Sequence, residues 1–353
     1  MSILNGVTTG QVNRQWILAR VPDGRVRESD FAQRTVQVGE LADGEALGRA
    51  RWFTFEAAMR AWLAPPALRD GADGTVPGRG YPFRVQPGQV MAGPAVVEVI
   101  ASRRADLAAG DLVRSAMFGW QDYVRIGGQP VQHLSPAIPM DRQLTVLVGN
   151  GPTAYFGIRD VGGVRAGDTV VVSGAAGATG SIAAQIARIA GARVIGIAGN
   201  SHKCRWLVET CRLDAAINYR QESVSARLRQ LCPDAIDVFF DGIGGSVLES
   251  AIDNMADHGR IVVCGQIATY DADEAPAGPR NLFELVTRRV RMEGYLLSDF
   301  ADRMDEAQRA LTGWLDRGEL ACQPEVHEGF DNVPRAFLRL FNGEGTGKQL
   351  LRL

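Results

Sequence analysis

The hydrophobic pattern changes its period in the middle of the chain, between residues 169 and 203. A β-branched run at residues 169–172 is followed by a segment of small residues, then by isoleucines at helical spacing, and then by a second apolar run at residues 194–197. The isoleucines are Ile182, Ile186 and Ile189, and the glycines of the small-residue segment are Gly174, Gly177 and Gly180. This order predicts a strand, a glycine turn, a helix and a second strand, which together form a βαβ unit.

The same alternation of strands and helices continues to residue 265. A largely apolar helical segment at residues 142–161 leads into it. Further strands are predicted at 215–218, 237–240 and 261–265, each preceded by a helix, at 203–211, 222–231 and 246–256. Strands that alternate with helices form a parallel, doubly wound sheet, and right-handed crossovers place the ligand crevice at the carboxyl ends of the strands. We therefore expect an α/β domain over residues 136–300.

The first third of the chain has a different pattern, with short apolar runs between glycines and prolines. Strands are predicted at 15–19, 34–38, 47–54, 90–92, 95–100, 112–113 and 120–126, with a short helical segment at 56–63 and a Pro- and Gly-rich surface loop at 64–88. Short strands at this spacing indicate an antiparallel β domain or a distorted barrel. In the tail we predict a strand at 290–297, a helix at 299–317, a strand at 322–327, a helix at 332–341 and a last strand at 349–353. The last strand is expected to complete the β domain, which then comprises residues 1–135 and 301–353.

Charge and composition exclude several classes of function. The 353 residues carry a formal net charge of -2 with acids and bases interspersed, so no surface for nucleic acid or an anionic membrane is predicted. The chain contains no apolar run long enough to span a bilayer and no signal-peptide pattern, and we expect a soluble cytoplasmic protein. The cysteines are odd in number and scattered, which predicts neither a disulfide framework nor a structural zinc site. They are Cys204, Cys211, Cys232, Cys264 and Cys322.

The glycine turn predicts a dinucleotide site, because glycine allows positive φ and a close approach of backbone N–H groups to a pyrophosphate at a helix N-terminus. The alternative, a glycine-rich turn without a ligand, is disfavoured by its position between two strands. We expect the cofactor contacts to include Gly177, Ala178, Thr179 and Gly180. The second strand ends without the carboxylate that NAD-dependent proteins use for the ribose 2′-hydroxyl. Lys203 and Tyr219 suit a 2′-phosphate instead, which favours NADPH, although Lys203 at the first turn of a helix is also compatible with a solvated side chain.

The distribution of metal-ligand residues limits the chemistry. The first cysteine is Cys204 and the first histidine is His133, so the β domain offers no catalytic zinc site and no metal is expected. Without a metal, hydride transfer to the β-carbon of an enone needs only an oxyanion donor and a proton source.

A tyrosine hydroxyl can fill both roles, and Tyr270 follows a predicted strand at its carboxyl end, where the crevice is expected. A packing role for Tyr270 is equally compatible with the sequence. Tyr155 and Tyr295 are rivals for the catalytic role, and Tyr81 and Tyr123 are candidates for the wall of the substrate pocket.

Several motifs together resemble one known family. They are GWQDY at 119–123, TAYFG at 153–157, AAGATG at 175–180, the pair Lys203 and Tyr219, CGQIATY at 264–270, MEGY at 292–295 and the closing GK at 347–348. With these motifs the chain resembles the zinc-free medium-chain dehydrogenase/reductases of the prostaglandin reductase group, which includes leukotriene hydroxydehydrogenases, plant alkenal double-bond reductases and bacterial curcumin reductase. The resemblance covers nearly the whole chain. It implies a GroES-like distorted β-barrel domain around a Rossmann domain, a homodimer, and NADPH-dependent reduction of the C=C bond of α,β-unsaturated ketones and aldehydes.

The resemblance also implies roles for particular residues. The segment Cys264, Gly265, Gln266 and Ile267 lines the nicotinamide, Tyr270 matches the proton donor or enolate anchor, and Tyr295, Leu296 and Leu297 border the cofactor. Residues 56–60 read Glu-Ala-Ala-Met-Arg where the family has Asp-Pro-Tyr-Met-Arg near the substrate, and residues 149–152 read Gly-Asn-Gly-Pro in place of Gly-Met-Pro-Gly. Met59 and Asn150 in these segments are expected in the substrate pocket, together with Tyr81, Tyr123 and Tyr155.

Two asparagines that contact the cofactor in the family are Gly242 and Gly345 here. These departures indicate a specialised substrate, such as a biosynthetic intermediate. Two alternatives remain open at this point: a quinone reductase on the same scaffold, and an NADPH-binding protein that has lost catalysis.

Overall fold

The N-terminal strands form two antiparallel arrangements in the computed structural model, which describes residues 11–63, 84–270 and 277–353. The strands are β1 (Val12–Leu18), β2 (Phe31–Gln37), β3 (Ala46–Thr54), β4 (Ala95–Ser102), β5 (Leu112–Ser115), β6 (Tyr123–Ile126) and β7 (Gln132–His133). Strands β1 and β2 pair with each other, and β3 pairs with both β4 and β6. A 3₁₀ segment at Ala57–Leu63 follows β3. The predicted antiparallel β domain is therefore confirmed.

The predicted strand at residues 90–92 is reduced to one isolated bridge, between Ile17 and Val90. Pro94 follows closely and has no N–H to donate to a ladder. At Gly93 the chain also packs against neighbouring side chains, because a Cβ there would lie 2.9 Å from Met59 Cε. Most of the predicted surface loop at 64–88 lies outside the described residues.

The second sheet is parallel throughout. Its strands are β8 (Thr169–Val172), β9 (Arg193–Ala198), β10 (Ala215–Asn218), β11 (Ile236–Asp241), β12 (Met255–Val263) and β13 (Arg291–Gly294). Within the described ranges they lie in the order β10-β9-β8-β11-β12-β13. The accompanying helices are α1 (Met140–Arg142), α2 (Asn150–Phe156), α3 (Ala178–Ile189), α4 (Ser201–Glu209), α5 (Val224–Leu231), α6 (Gly245–Ile252) and α7 (Phe283–Thr287). The predicted doubly wound α/β sheet is confirmed.

Alternate residues of the central strands enter two different cores, as the two-residue period of a strand requires. Val170 and Val172 of β8 belong to a core that includes residues of α2 and α3. Val171, between them, belongs to a core on the opposite face with residues of α5 and α6. A third core, in the β domain, contains the buried aromatic residues Phe53, Phe55, Trp120 and Phe337.

The predicted continuous helix at 142–161 is interrupted at Gly149, which has a φ of 60° and a ψ of -90°. A π-helical turn at Gln143–Leu147 precedes the break, and another at Gly157–Val161 follows α2. A positive φ is accessible to glycine because it lacks a Cβ. The break makes Asn150 the first residue of α2.

The C-terminal tail divides its contacts between the two sheets. It contains α8 (Met304–Asp316), β14 (Pro324–Glu328), α9 (Val333–Leu338) and β15 (Lys348–Arg352). Strand β15 pairs antiparallel with β3, with Leu350 opposite Thr54, which confirms the expected return of the last strand to the β domain. Helix α8 buries Ala307 and Leu311 in the core of the parallel sheet. The domain boundaries at 135 and 301 stay predictions.

Candidate cofactor and substrate site

In the turn between β8 and α3, the start of the helix packs closely against the backbone of the turn. Gly174 has a φ of 57°, and a Cβ on Gly180 would lie 2.4 Å from the carbonyl oxygen of Gly174. Any side chain at position 180 would therefore clash with the turn that precedes the helix. Gly177 is the N-cap residue of α3, and no side chain of the described residues caps this N-terminus. The first N–H groups of a helix that lacks a side-chain cap are suited to a phosphate.

Lys203 is almost completely buried, with 7% of its surface exposed. Its backbone N–H donates to Asn200 Oδ1, which caps α4, and its Nζ donates to the carbonyl oxygen of Gly343 at 2.8 Å. Burial lowers the pKa of Lys203, and the nearby guanidinium of Arg220 lowers it further. The alternative of a solvated side chain for Lys203 is therefore not what the fold contains.

Tyr219, which directly follows β10, is half-exposed. Its hydroxyl lies 3.0 Å from the position that a Cβ on Gly199 would occupy, so the ring covers Gly199 at the end of β9. The guanidinium of Arg220 lies 5.9 Å from the centre of the Tyr219 ring. Arg220 thus lies beside the Tyr219 ring and near enough to Lys203 to lower its pKa. Binding of a 2′-phosphate by Lys203 and Tyr219 stays a prediction.

Asp241, the last residue of β11, organises the neighbouring loop, and sequence reasoning did not identify it. Its carboxylate is fully buried and accepts hydrogen bonds from the hydroxyl of Ser173 and from the N–H groups of Ile243 and Gly244. Burial raises the pKa of Asp241, and these donors oppose the shift. An acidic residue at the end of a predicted strand, directly before a glycine-rich segment, was the available signal.

The segment Cys264, Gly265, Gln266 and Ile267 packs against this loop. The N–H groups of Cys264 and Gly265 donate to the carbonyl oxygen of Asp241, and the N–H of Ile267 donates to that of Gly242. Burial raises the pKa of the Cys264 thiol to about 11, so it stays protonated near neutral pH. A short 3₁₀ turn at Ile267–Thr269 follows, and Tyr270 ends it. Tyr270 therefore lies beyond the carboxyl end of β12, as predicted, while its catalytic role stays a prediction.

The two rival tyrosines direct their hydroxyls into the protein. Tyr295 Oη donates to the carbonyl oxygen of Thr153 at 2.6 Å, and burial raises its pKa. Tyr155 Oη donates to Glu306 Oε1 at 2.8 Å, and burial together with this carboxylate raises the pKa of Tyr155. Leu296 and Leu297 follow Tyr295, and Leu296 is mostly exposed. The predicted roles of these residues at the cofactor and in the pocket stay predictions.

A buried polar network joins the β domain to the helix of the glycine turn. Lys348 is 1% exposed, and its Nζ donates to Glu56 Oε1 at 2.5 Å, Asn150 Oδ1 at 2.7 Å and the carbonyl oxygen of Phe55 at 3.1 Å. The Asn150 amide donates to Thr179 Oγ1 at 2.8 Å and to Glu56 Oε2 at 3.1 Å. Burial lowers the pKa of Lys348, and Glu56 opposes this shift. The network brings together two predicted site residues, Asn150 and Thr179. The residues that hold Asn150 in place, Glu56 and Lys348, were identified in the sequence only as parts of motifs.

Of the remaining predicted pocket residues, Met59 contacts this network, because its Sδ accepts from the N–H of Glu56 at 3.4 Å. Met59 is fully buried in the core of the β domain. Tyr123 lines a cleft of about 250 Å³ with Asn13, Gln15 and other residues of the β domain, and this cleft contains none of the predicted cofactor contacts. Tyr81 lies outside the described residues. The pocket assignments of these three residues stay predictions.

In the described ranges, no three His, Cys, Asp or Glu side chains converge in a way that could hold a metal ion. No helix within those ranges is both long and apolar enough to cross a bilayer.

Comparison with known proteins gives consistent matches along the chain. Residues 14–134 match a family profile described as the N-terminal domain of oxidoreductase, and residues 178–312 match one described as zinc-binding dehydrogenase. The chain is 35% identical over 342 residues to a putative NADP-dependent oxidoreductase, YfmJ, of Bacillus subtilis, covering 95% of this chain and 96% of the relative. It is 31% identical over 350 residues to the NADPH-dependent curcumin reductase of Escherichia coli, covering 97% of each chain.

Further similarity extends to a mammalian protein and to a solved structure. Prostaglandin reductase 1 of Bos taurus is 32% identical over 346 residues, which cover 96% of this chain and 98% of the relative. The crystal structure of CurA from Vibrio vulnificus in complex with NADPH superposes with a TM-score of 0.88 at 31% identity, covering 96% of this chain and 98% of CurA. Sequence, length and fold agree in these matches. The chain belongs to the prostaglandin reductase group of the medium-chain dehydrogenase/reductase family.

Proposed function

We propose that this protein is an NADPH-dependent ene-reductase that reduces the C=C bond of an α,β-unsaturated ketone or aldehyde. Its membership in a group that contains NADPH-dependent curcumin reductase and prostaglandin reductases supports this proposal. The five cysteines are free thiols, a state that a reducing compartment maintains, and we place the protein in the cytoplasm.

The cofactor would occupy the carboxyl edge of the parallel sheet. Its pyrophosphate would accept hydrogen bonds from the N–H groups at Gly177–Gly180, where the close packing of Gly180 against Gly174 leaves room only for backbone. Lys203 and Tyr219 would hold the 2′-phosphate, and the segment 264–267 would line the nicotinamide. When bound there, NADPH supplies the hydride for the substrate β-carbon.

Tyr270 would stabilise the negative charge that develops on the substrate oxygen. A phenol within hydrogen-bond distance can donate to an enolate oxygen, and either Tyr270 or water would then protonate the α-carbon. The observation that carries this proposal is the position of Tyr270 directly after the 3₁₀ turn at the end of β12, beside the loop that Asp241 holds.

The test is turnover of enones with NADPH, followed by absorbance of the cofactor and by mass spectrometry of the product. The wild type is expected to yield the saturated ketone. Tyr270→Phe should lower kcat by about 10² to 10³, the usual loss of one oxyanion donor, because the ring stays and only the hydroxyl is removed. Unchanged NADPH affinity and melting temperature serve as controls. Full turnover by Tyr270→Phe would contradict the role of Tyr270, and reduction of quinones alone would contradict ene-reduction.

We also propose that the protein is a homodimer that pairs through the β13 edge of the parallel sheet. Strand β13 ends the strand order, and the adjoining helix α7 leaves Phe283 73% and Val286 67% exposed. Large apolar residues beside an open strand edge favour association. Light scattering during size exclusion should give twice the chain mass for the wild type and the chain mass for Phe283→Glu. A monomeric wild type would contradict the proposal.

A further inference from the structure

Arg114, on strand β5, is a partly buried arginine whose side chain has no partner among the described residues. Its Nε is buried and makes no hydrogen bond. Within the part of the chain that the structure describes, no other nitrogen of its guanidinium forms a hydrogen bond or an ion pair. Other arginines with a shielded Nε reach an acceptor through another nitrogen, as Arg188 does with the carbonyl oxygen of Glu319, Arg260 with Asp168 and Arg339 with Glu325. Arg114 therefore differs from them, because its guanidinium forms no hydrogen bond or ion pair with a described residue.

The guanidinium lies beside the buried network between the domains. A Cβ on Gly149 would lie 3.8 Å from an Nη of Arg114 and 3.6 Å from Glu56 Oε1. Gly149 directly precedes Asn150, whose amide contacts Thr179 at the predicted cofactor turn. Burial lowers the pKa of Arg114, and Glu56 opposes this shift. The unpartnered cation is thus next to the region where cofactor and substrate are expected to meet.

The charges of this region do not balance. Glu56 is the acidic group here, and its carboxylate already accepts from Lys348 and Asn150. Lys348 directs its Nζ to three acceptors and has no proton left for a ligand. Two cations therefore share one carboxylate, and the uncompensated charge is on Arg114. A partly buried cation without an acceptor is less favourable than a paired one, and the planar guanidinium matches the geometry of a carboxylate.

We infer that the substrate of this ene-reductase carries a carboxylate that pairs with Arg114. The inference rests on the proposed function and narrows its substrate class from enones in general to enones with an anionic group. Arg114 belongs to a strand of the β domain, whereas the turn suited to the cofactor diphosphate belongs to the parallel sheet. This placement favours a substrate anion over the cofactor diphosphate as its partner.

The test uses (E)-4-oxopent-2-enoate and its methyl ester, which share the enone and differ in charge. The wild type should show the higher kcat/KM on the acid. Arg114→Gln should lower kcat/KM on the acid by about 10- to 100-fold, the range for one charged hydrogen-bonding partner, and should change it little on the ester. Arg125→Gln is the matched control, because Arg125 is an exposed arginine of the same domain that pairs with Glu45. Arg114→Lys should restore part of the preference.

Three further measurements decide between the explanations. NADPH titration should give the same affinity for the wild type and Arg114→Gln, and a loss equal to the loss on the acid would assign Arg114 to the cofactor diphosphate and overturn the inference. The melting temperature of Arg114→Gln without ligands should equal or exceed that of the wild type, since a structural arginine would lower it when replaced. Equal losses on acid and ester would also overturn the inference.

Calorimetry with the saturated acid 4-oxopentanoate and NADP⁺ separates the inference from the proposed function. If neither enone is reduced but 4-oxopentanoate binds the wild type and not Arg114→Gln, the ene-reductase proposal fails and the anion site stands. If the ester is reduced but 4-oxopentanoate binds both proteins equally or not at all, the anion site fails and the ene-reductase proposal stands.

Discussion

The glycine turn and the Lys348 network are two neighbouring parts of the candidate site, and they are built in opposite ways. The turn and its helix use consecutive residues, from Gly174 to Gly180, and their geometry follows from local backbone requirements. The network uses residues from three distant segments, with Glu56 after β3, Asn150 on α2 and Lys348 on β15. Local sites can be identified from a motif, whereas this network exists only once the last strand has joined β3.

The largest effect is expected from removing Lys348, the centre of the network. Lys348→Met should lower the free energy of unfolding by about 3 to 5 kcal/mol, because it removes the cation that is hydrogen-bonded to Glu56 and leaves this largely buried carboxylate with only the unbonded Arg114 nearby. The midpoint of urea unfolding measures this effect. The double variant Lys348→Met with Glu56→Leu should recover much of the loss, since an apolar pair replaces both charges. A shift of the midpoint within error for Lys348→Met would show that the network is not structural.

Gly180→Ala tests the local part of the site and should have a smaller effect on stability. The added Cβ would meet the carbonyl oxygen of Gly174 at 2.4 Å, so the turn must shift. We expect a loss of about 1 to 3 kcal/mol, as for overpacked positions, together with weaker NADPH binding. Gly128→Ala is the matched control, because a Cβ there has nothing within 4 Å. Equal effects of the two variants on NADPH affinity would contradict the proposed binding of the cofactor pyrophosphate at this turn.

The smallest expected effect concerns the choice between NADPH and NADH. Lys203→Gln should weaken NADPH binding about tenfold and leave NADH binding unchanged, because only NADPH carries the 2′-phosphate. Fluorescence titration of both cofactors measures the ratio. A tenfold loss for both cofactors would show that Lys203 supports the loop at Gly343 rather than the phosphate.

The same lysine predicts a pH dependence with a definite sign. Burial lowers the pKa of Lys203 below the 10.5 of an exposed lysine. Between this lowered pKa and pH 10.5, the folded protein without cofactor therefore binds fewer protons than the unfolded chain. The contribution of Lys203 therefore makes the free energy of unfolding rise with pH over this range. NADPH affinity should fall over the same range, because the charged form of Lys203 binds the phosphate. Lys203→Gln should abolish the pH dependence of the NADPH to NADH affinity ratio.

Some tertiary contacts could not be predicted from the sequence, because the two partners are far apart along the chain. The position of Tyr270 followed from the end of a predicted strand, because carboxyl ends of parallel strands share one edge. The orientation of Tyr155 toward Glu306 did not, since the partner is on α8 and only packing brings α2 and α8 together. The burial of Lys203 likewise depends on Gly343, which is far away along the chain.

The sequence by itself determined the two kinds of sheet, the glycine turn and the family, because strand periods, glycine positions and motifs are properties of neighbouring residues. The tertiary structure alone decided which side chains share the junction between the domains. There Lys348 pairs with Glu56 and Asn150, while the Arg114 guanidinium forms no hydrogen bond or ion pair with a described residue. The physical reason is that charge balance in a shielded site depends on all the segments that meet in it, and strand pairing across the whole chain brings them together.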